Sequence, residues 1–304
     1  MPPKNLGGVW APAITPFRKD LSPDPERFAR HARWLLANGC SGLAAFGTNS
    51  EANSLAAEER MDLLEFLVSH GISPSCLMPG TGCCALTDSV RLTRHAVELG
   101  CAGVLMLPPF YYKGVPEEGL FRNFAEVIER VGETRLRLYL YHIPPVAQVP
   151  ISIPLIERLL ERYPRTVAGI KDSSGDWNNT RSVLDAFAGT GFQVFAGSEV
   201  FLLATMRHGG VGCISATANV NPAAIHRVFE TWRAPDAGHL QAEITATRAV
   251  VQKYPMIPAL KAIVARGFDD PEWTTVRPPL VELSPEQRES LAAELDARGF
   301  RLAA

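Results

Sequence analysis

The sequence predicts an α/β fold, a (β/α)8 TIM barrel with a C-terminal helical extension, on three observations. Eight short apolar runs bounded by glycine or proline recur along the chain, amphipathic helical patterns separate most of them, and no sequence repeat of fixed period argues for a solenoid. The runs are nearly continuous in apolar character, as strands covered by helices are. Strand and helix alternating eight times and closed on itself is such a barrel.

The runs are GVWAPAITPF (8–17), GLAAFG (42–47), CLMPGTG (76–82), GVLMLPPF (103–110), LRLYLYHIP (136–144), VAGIKDS (167–173), FQVFAGS (192–198) and GCISATAN (212–219). Between them PERFARHARWLLANG, EERMDLLEFLVSHG, SVRLTRHAVELG, GLFRNFAEVIERVG and IPLIERLLERYP read as helices, several closing on a glycine suited to a helix C-cap. After Asn219 the strand pattern stops. Asn221-Pro222 starts one helix, PMIPALKAIVARG is another, and Ser284, Pro285 and Gln287 supply the cap, first-turn proline and N3 partner of a last one. The division expected is 1–224 for the barrel carrying the active site and 225–304 for the extension.

A chain of 304 residues that is 46% hydrophobic and 20% charged can bury one large core, and it is neither disordered nor collagen-like. The net charge of -2 gathers neither phosphate backbones nor anionic lipid, so nucleic acid and membrane surface are poor partners. No apolar run reaches the roughly 18 residues of a spanning helix, and the start lacks the basic-then-apolar order of a signal peptide. A cytoplasmic location is expected. The six cysteines are dispersed without a C-x-x-C pair, as buried hydrophobes in a reducing compartment are, and the seven histidines form no H-x-H or H-E-x-x-H, so no metal site is expected.

Reactive groups of such a barrel come from the C-terminal ends of its strands. Of the six lysines, only Lys171 falls at a strand end; Lys4 and Lys19 are near the N-terminus, Lys113 follows a loop, and Lys253 and Lys261 belong to the terminal helices. Loss of hydration there favours the neutral amine, a nucleophile for carbonyls. The alternative is a stem packed on the rim whose head reaches water or pairs with Asp172. GTNSE (47–51) closes the second run ahead of a helix, where backbone N–H groups can meet a carboxylate, or make only an ordinary turn. Tyr139 and Tyr141 alternate with Leu138 and Leu140 and so share a face, with Tyr141 nearer the active end. A phenol beside an amine can relay protons, and it can equally fill space. GTGCCA (80–85) matches a dinucleotide fingerprint, but the acidic residue that should end the next strand is missing, Glu98 preceding that strand, and eight runs exceed that fold's six.

Together these residues resemble the dihydrodipicolinate synthase and N-acetylneuraminate lyase family of pyruvate-handling class I aldolases, over roughly residues 5 to 270. The motifs are G-[ST]-x-x-E (Gly47, Thr48, Asn49, Ser50, Glu51), Y-x-x-P (Tyr141, Pro144), the Schiff-base lysine (Lys171) and the glycine-rich GGVGCISATANV (209–220). The resemblance implies an imine between Lys171 and a 2-oxo acid, Tyr141 as proton carrier, and Thr48 and Asn49 on the carboxylate. It also implies Tyr111 completing the relay of a neighbouring subunit in a dimer or tetramer, and no metal or organic cofactor. Gly47, Gly197 and Ile214 join the implied substrate-binding set.

Two departures narrow the substrate. Val146 stands where the synthase has an arginine for a second carboxylate, although an arginine elsewhere could compensate; Ala216 stands where the sialic acid lyases have a serine for sugar hydroxyls. KDSSGD and FQVFAGSEVFLL resemble relatives acting on 4-hydroxy-2-oxoglutarate or 2-keto-3-deoxy sugar acids, and Glu199 could meet a hydroxyl of such a substrate or sit in a surface turn. The leading expectation is a pyruvate-forming aldolase on a 2-oxo-4-hydroxy acid. A sugar-acid dehydratase or dihydrodipicolinate synthase using the same lysine is the alternative, and a non-catalytic 2-oxo-acid binder is another.

Overall fold

The computed structural model describes residues 6–302, so Lys4 and the opening residues of the chain lie outside the described part. Among the described residues seven strands, β1 (Gly8–Ala11), β2 (Gly42–Leu43), β3 (Val104–Met106), β4 (Leu138–His142), β5 (Val167–Asp172), β6 (Gln193–Ala196) and β7 (Gly212–Ile214), form one sheet in the order β2-β1-β7-β6-β5-β4-β3. Every pairing within it is parallel.

The sheet's two edges, β2 and β3, are joined by the third apolar run. That run makes isolated bridges, Leu43 to Leu77 and Gly80 to Leu105, rather than a continuous strand. Met78 N donates to Leu43 O at 2.9 Å, Gly80 N to Ala45 O at 2.7 Å, and Leu105 N to Pro79 O at 2.9 Å. The barrel thereby closes with seven strands and a linking segment where eight strands were expected, because Pro79 has no N–H for the ladder. A Cβ on Gly80 would stand 2.1 Å from Phe46 O, and one on Gly82 2.3 Å from Leu107 N. The glycines of GTGCCA thus permit close approach of neighbouring backbone.

The helices are α1 (Pro25–Ala37), α2 (Ala57–Ser69), α3 (Leu86–Glu98), α4 (Glu117–Val131), α5 (Pro144–Ala147), α6 (Ile153–Arg162), α7 (Trp177–Ala186), α8 (Leu202–Arg207), α9 (Pro222–Glu230), α10 (Ala237–Val251), α11 (Met256–Gly267) and α12 (Pro285–Ala297). Local chemistry sets many of their ends. Asp24 accepts from Arg27 N to open α1, Gly132 closes α4 in a left-handed conformation, and Ser284 with Gln287 forms the capping box of α12. Helix α10 carries no such start signal, since its Asp236 cap makes no side-chain hydrogen bond.

Alternation along each strand splits the core in two. Val9, Ala11, Val104, Met106, Leu138, Leu140, Val194 and Ala196 pack outward with helix residues such as Leu35, Leu64 and Phe124. Trp10, Leu105, Tyr139, Tyr141, Phe195 and Ile214 pack together inside. A third cluster joins barrel residues Ile14, Ala216 and Val220 to Val251, Leu260, Val264, Trp273 and Leu291, so the helices after residue 224 share apolar surface with the barrel. Among the described residues no helix is long and apolar enough to cross a membrane.

Candidate active site

The barrel interior is stacked, and two tyrosines of one strand occupy different levels. At the lower level the Tyr139 hydroxyl donates to Gln193 Oε1 at 2.5 Å, and Gln193 Nε2 donates to Leu6 O at 2.9 Å. Burial pushes the Tyr139 phenol up to about 12, with Arg137 partly offsetting it. This phenol is satisfied and fills space.

Two residues on, the register aligns Tyr141 of β4 with Lys171 of β5. Lys171 is 2% exposed, and its Nζ lies 4.1 Å from the centroid of the Tyr141 ring. The Tyr141 hydroxyl is in turn 3.2 Å from Thr48 Oγ1, either atom serving as donor. An amine, a phenol and an aliphatic hydroxyl thus meet at the C-terminal end of the strands. They line a cavity of about 650 Å³ that also takes in Asn49 and Gly197.

Among the described residues no carboxylate lies within ion-pair reach of Lys171, and the pairing with Asp172 is not made. The Asp172 carboxylate accepts from Thr180 Oγ1 at 2.6 Å, Ser174 N at 2.9 Å and Asn179 Nδ2 at 3.0 Å. His142 Nε2 stands 4.0 Å from it, while His142 Nδ1 accepts from Ile151 N at 2.9 Å. Burial lowers the His142 pKa, with the Asp172 charge opposing, so the ring is held neutral. Strand alternation explains the split: Lys171 and Tyr141 point inward, Asp172 and His142 outward.

The GTNSE segment divides. Thr48–Ser50 form a single 3-10 turn, whose opening N–H groups have no acceptor within the turn, and Thr48 and Asn49 face the cavity. Gly47 only precedes that turn. Glu51, in a left-handed conformation at φ 57°, is buried in an ion pair with Lys261 of α11, and its Oε2 accepts from Arg277 N at 3.0 Å.

Besides Gly47, three expected site residues do not line this cavity. Glu199 is 1% exposed and does not line the cavity: Arg248 Nη1 donates to its Oε2 at 2.7 Å, and the hydroxyls of Ser215 and Thr217 bond the same carboxylate. Both of its oxygens are engaged inside the protein, and the side chain is turned into that network rather than towards a substrate hydroxyl. Ile214 lies in the interior apolar cluster with Trp10, Tyr139 and Phe195. Tyr111 is 73% exposed and packs edge-on against Tyr112, with centroids 5.4 Å apart; the role expected of it lies in a neighbouring subunit's relay, not in this cavity.

Conversely, α10, the turn after it and the first residue of α11 bring Arg248, Gln252 and Met256 to the cavity wall. Reading strand ends alone misses them. The available signal is a lone arginine inside the otherwise apolar and small stretch 246–251. A second cavity, of about 510 Å³ between α11 and α12, contains none of the residues singled out from the sequence.

Comparison with known proteins bears on this arrangement. The family model described as "Dihydrodipicolinate synthetase family" matches residues 5–298. An uncharacterized DapA-like lyase of Chloroflexus aurantiacus is 35% identical over 288 residues, covering 94% of this chain and 95% of its own. The crystal structure of dihydrodipicolinate synthase from Agrobacterium tumefaciens superposes with a TM-score of 0.88 at 32% identity, covering 96% of this chain and 99% of that one. A prophage protein of the dihydrodipicolinic acid synthase family from E. coli, solved in complex with pyruvate, gives a TM-score of 0.88 at 27% identity, covering 98% and 99%.

Proposed function

The chain belongs to the dihydrodipicolinate synthetase family and is a lyase of the class I aldolase type, and from that premise we propose that Lys171 is its Schiff-base nucleophile and that it cleaves a 2-oxo-4-hydroxy acid to pyruvate and an aldehyde. The observation that carries the reading is the buried Lys171 amine, without a carboxylate partner, 4.1 Å over a phenol whose hydroxyl is 3.2 Å from Thr48.

The chemistry follows from that geometry. The substrate's C1 carboxylate lies against the opening N–H groups of the Thr48–Asn49 turn, which places its C2 carbonyl at Lys171. Lys171 adds to C2, the carbonyl oxygen leaves as water, and the iminium becomes an electron sink. The C3–C4 bond then breaks: its electron pair passes through the enamine to the iminium nitrogen, and the C4 hydroxyl gives up its proton. Tyr141 and Thr48 form the path for that proton. Protonation at C3 and hydrolysis of the imine release pyruvate and restore the amine. The electron sink is the iminium itself, so the proposal includes no metal or organic cofactor.

The barrel segment 1–224 supplies these groups, and the helical segment 225–304 completes the wall through Arg248, Gln252 and Met256. A homo-oligomer, dimer or tetramer, is part of the reading: Tyr111 and Tyr112, each 73% exposed, are the surface through which one subunit would reach the relay of another. A cytoplasmic location accords with the unpaired cysteines.

The test is borohydride reduction with pyruvate. An added mass of about 72 Da on Lys171 is expected of a reduced pyruvate imine. Absence of an adduct would leave a non-catalytic binder. Pyruvate released from the substrate, read with lactate dehydrogenase and NADH, separates cleavage from dehydration.

A further inference from the structure

We infer, resting on the reading of Lys171 above, that the Glu199–Arg248 pair sets substrate choice and selects a 2-oxo acid with a neutral polyol tail over one ending in a second carboxylate. Arg248 is 8% exposed and lines the cavity from α10. Its Nη1 donates to Glu199 Oε2 at 2.7 Å and to Ser215 Oγ at 3.1 Å, while its buried Nε–H has no partner. A guanidinium carries five N–H donors, so the group keeps donors for a ligand, and an unpartnered buried donor favours a ligand oxygen that satisfies it.

The charge balance decides which oxygen. Among the described residues the only cations on the cavity wall are Lys171 and Arg248. Lys171 is consumed by the imine, whose positive charge balances the C1 carboxylate. Arg248 is already neutralised by Glu199, and the 1% exposure of that carboxylate keeps water from screening it. A second substrate carboxylate would find no uncompensated cation to replace its lost hydration. Hydroxyl groups incur no such cost, and Ser173, Ser198 and Gln252 add uncharged partners along the same wall. Glu199 therefore acts as a positioning residue, holding the arginine fork while cancelling its charge.

The experiment compares kcat/KM for a 2-keto-3-deoxy hexonate with that for 4-hydroxy-2-oxoglutarate, in the wild-type chain and in Glu199→Gln and Arg248→Met. The wild type is expected to prefer the polyol acid by at least about tenfold. Glu199→Gln frees the guanidinium charge and should raise kcat/KM on the dicarboxylate by about tenfold, chiefly through KM, moving the ratio towards it. A purely structural Glu199 would lower both substrates alike. Arg248→Met should raise KM for the polyol acid by about tenfold or more with the pyruvate adduct on Lys171 retained. A wild-type preference for the dicarboxylate overturns the inference even if a variant fails to fold, as does an unchanged ratio in folded Glu199→Gln. Loss of the adduct in the wild type would overturn the Lys171 reading instead; an adduct with the wrong preference overturns this inference alone.

Discussion

Among the described residues two lysines are buried, and they differ in what surrounds them. Lys171 ends β5, 2% exposed, with its Nζ over the Tyr141 ring and an open cavity before it. Lys261 sits in α11 at 0% exposure, ion-paired to Glu51, donating to Thr275 O at 2.7 Å and stacked over the Phe17 ring at 4.5 Å. Both have lost water. Only the second has had its hydration replaced by a carboxylate and a carbonyl, which makes it a clamp between the C-terminal helices and the loop that carries Thr48. Burial alone does not make a lysine reactive; burial beside empty space and a proton carrier does.

The contrast can be tested from each side. Lys171→Ala should abolish the pyruvate adduct and turnover altogether while leaving the thermal unfolding midpoint within a few degrees, because no ion pair is broken; a large loss of stability would refute the distinction. Tyr141→Phe should keep the adduct but reduce kcat by roughly 10²–10⁴, as removal of a proton carrier does. Lys261→Met should leave Glu51 charged, buried and without its partner, costing about 3–5 kcal/mol in urea unfolding. Most of that loss should return in the double variant Lys261→Met, Glu51→Gln. A catalytic defect in that rescued protein matching Lys171→Ala would place Lys261 in the chemistry.

The smallest effect concerns pH. Burial lowers the Lys261 pKa from 10.5 to about 8, against the opposing pull of Glu51. Between those values the unfolded chain binds more proton than the folded one, so stability should rise with pH from about 8 to 10.5 by at most about 1.4 kcal/mol per unit. That contribution should be missing from Lys261→Met, as denaturation midpoints at pH 8 and 10 would show.

Much of the site was legible residue by residue. Apolar runs ending in Lys171, Tyr141 and GTNSE placed those groups at strand termini, and the two-residue period put Tyr139 and Tyr141 on one face, with Tyr141 nearer the active end. Glu199 illustrates the limit: its position after Gly197 suggested contact with substrate, but the partner that removes it from the cavity, Arg248, lies 49 residues away on a helix without a start signal. Pro79 similarly interrupted a run whose hydrophobicity announced an ordinary strand.

Hydrophobic period, caps and strand-end chemistry are local properties, so the chain's order of residues determined the barrel, the position of the amine and the kind of reaction it supports. Which buried charge is matched and which is left facing space depends on groups brought together from distant segments. Lys171 and Lys261 look alike as letters, and only folding put Glu51 beside one and a phenol and a cavity beside the other, because Coulomb and hydration terms are set by distance in space rather than along the chain.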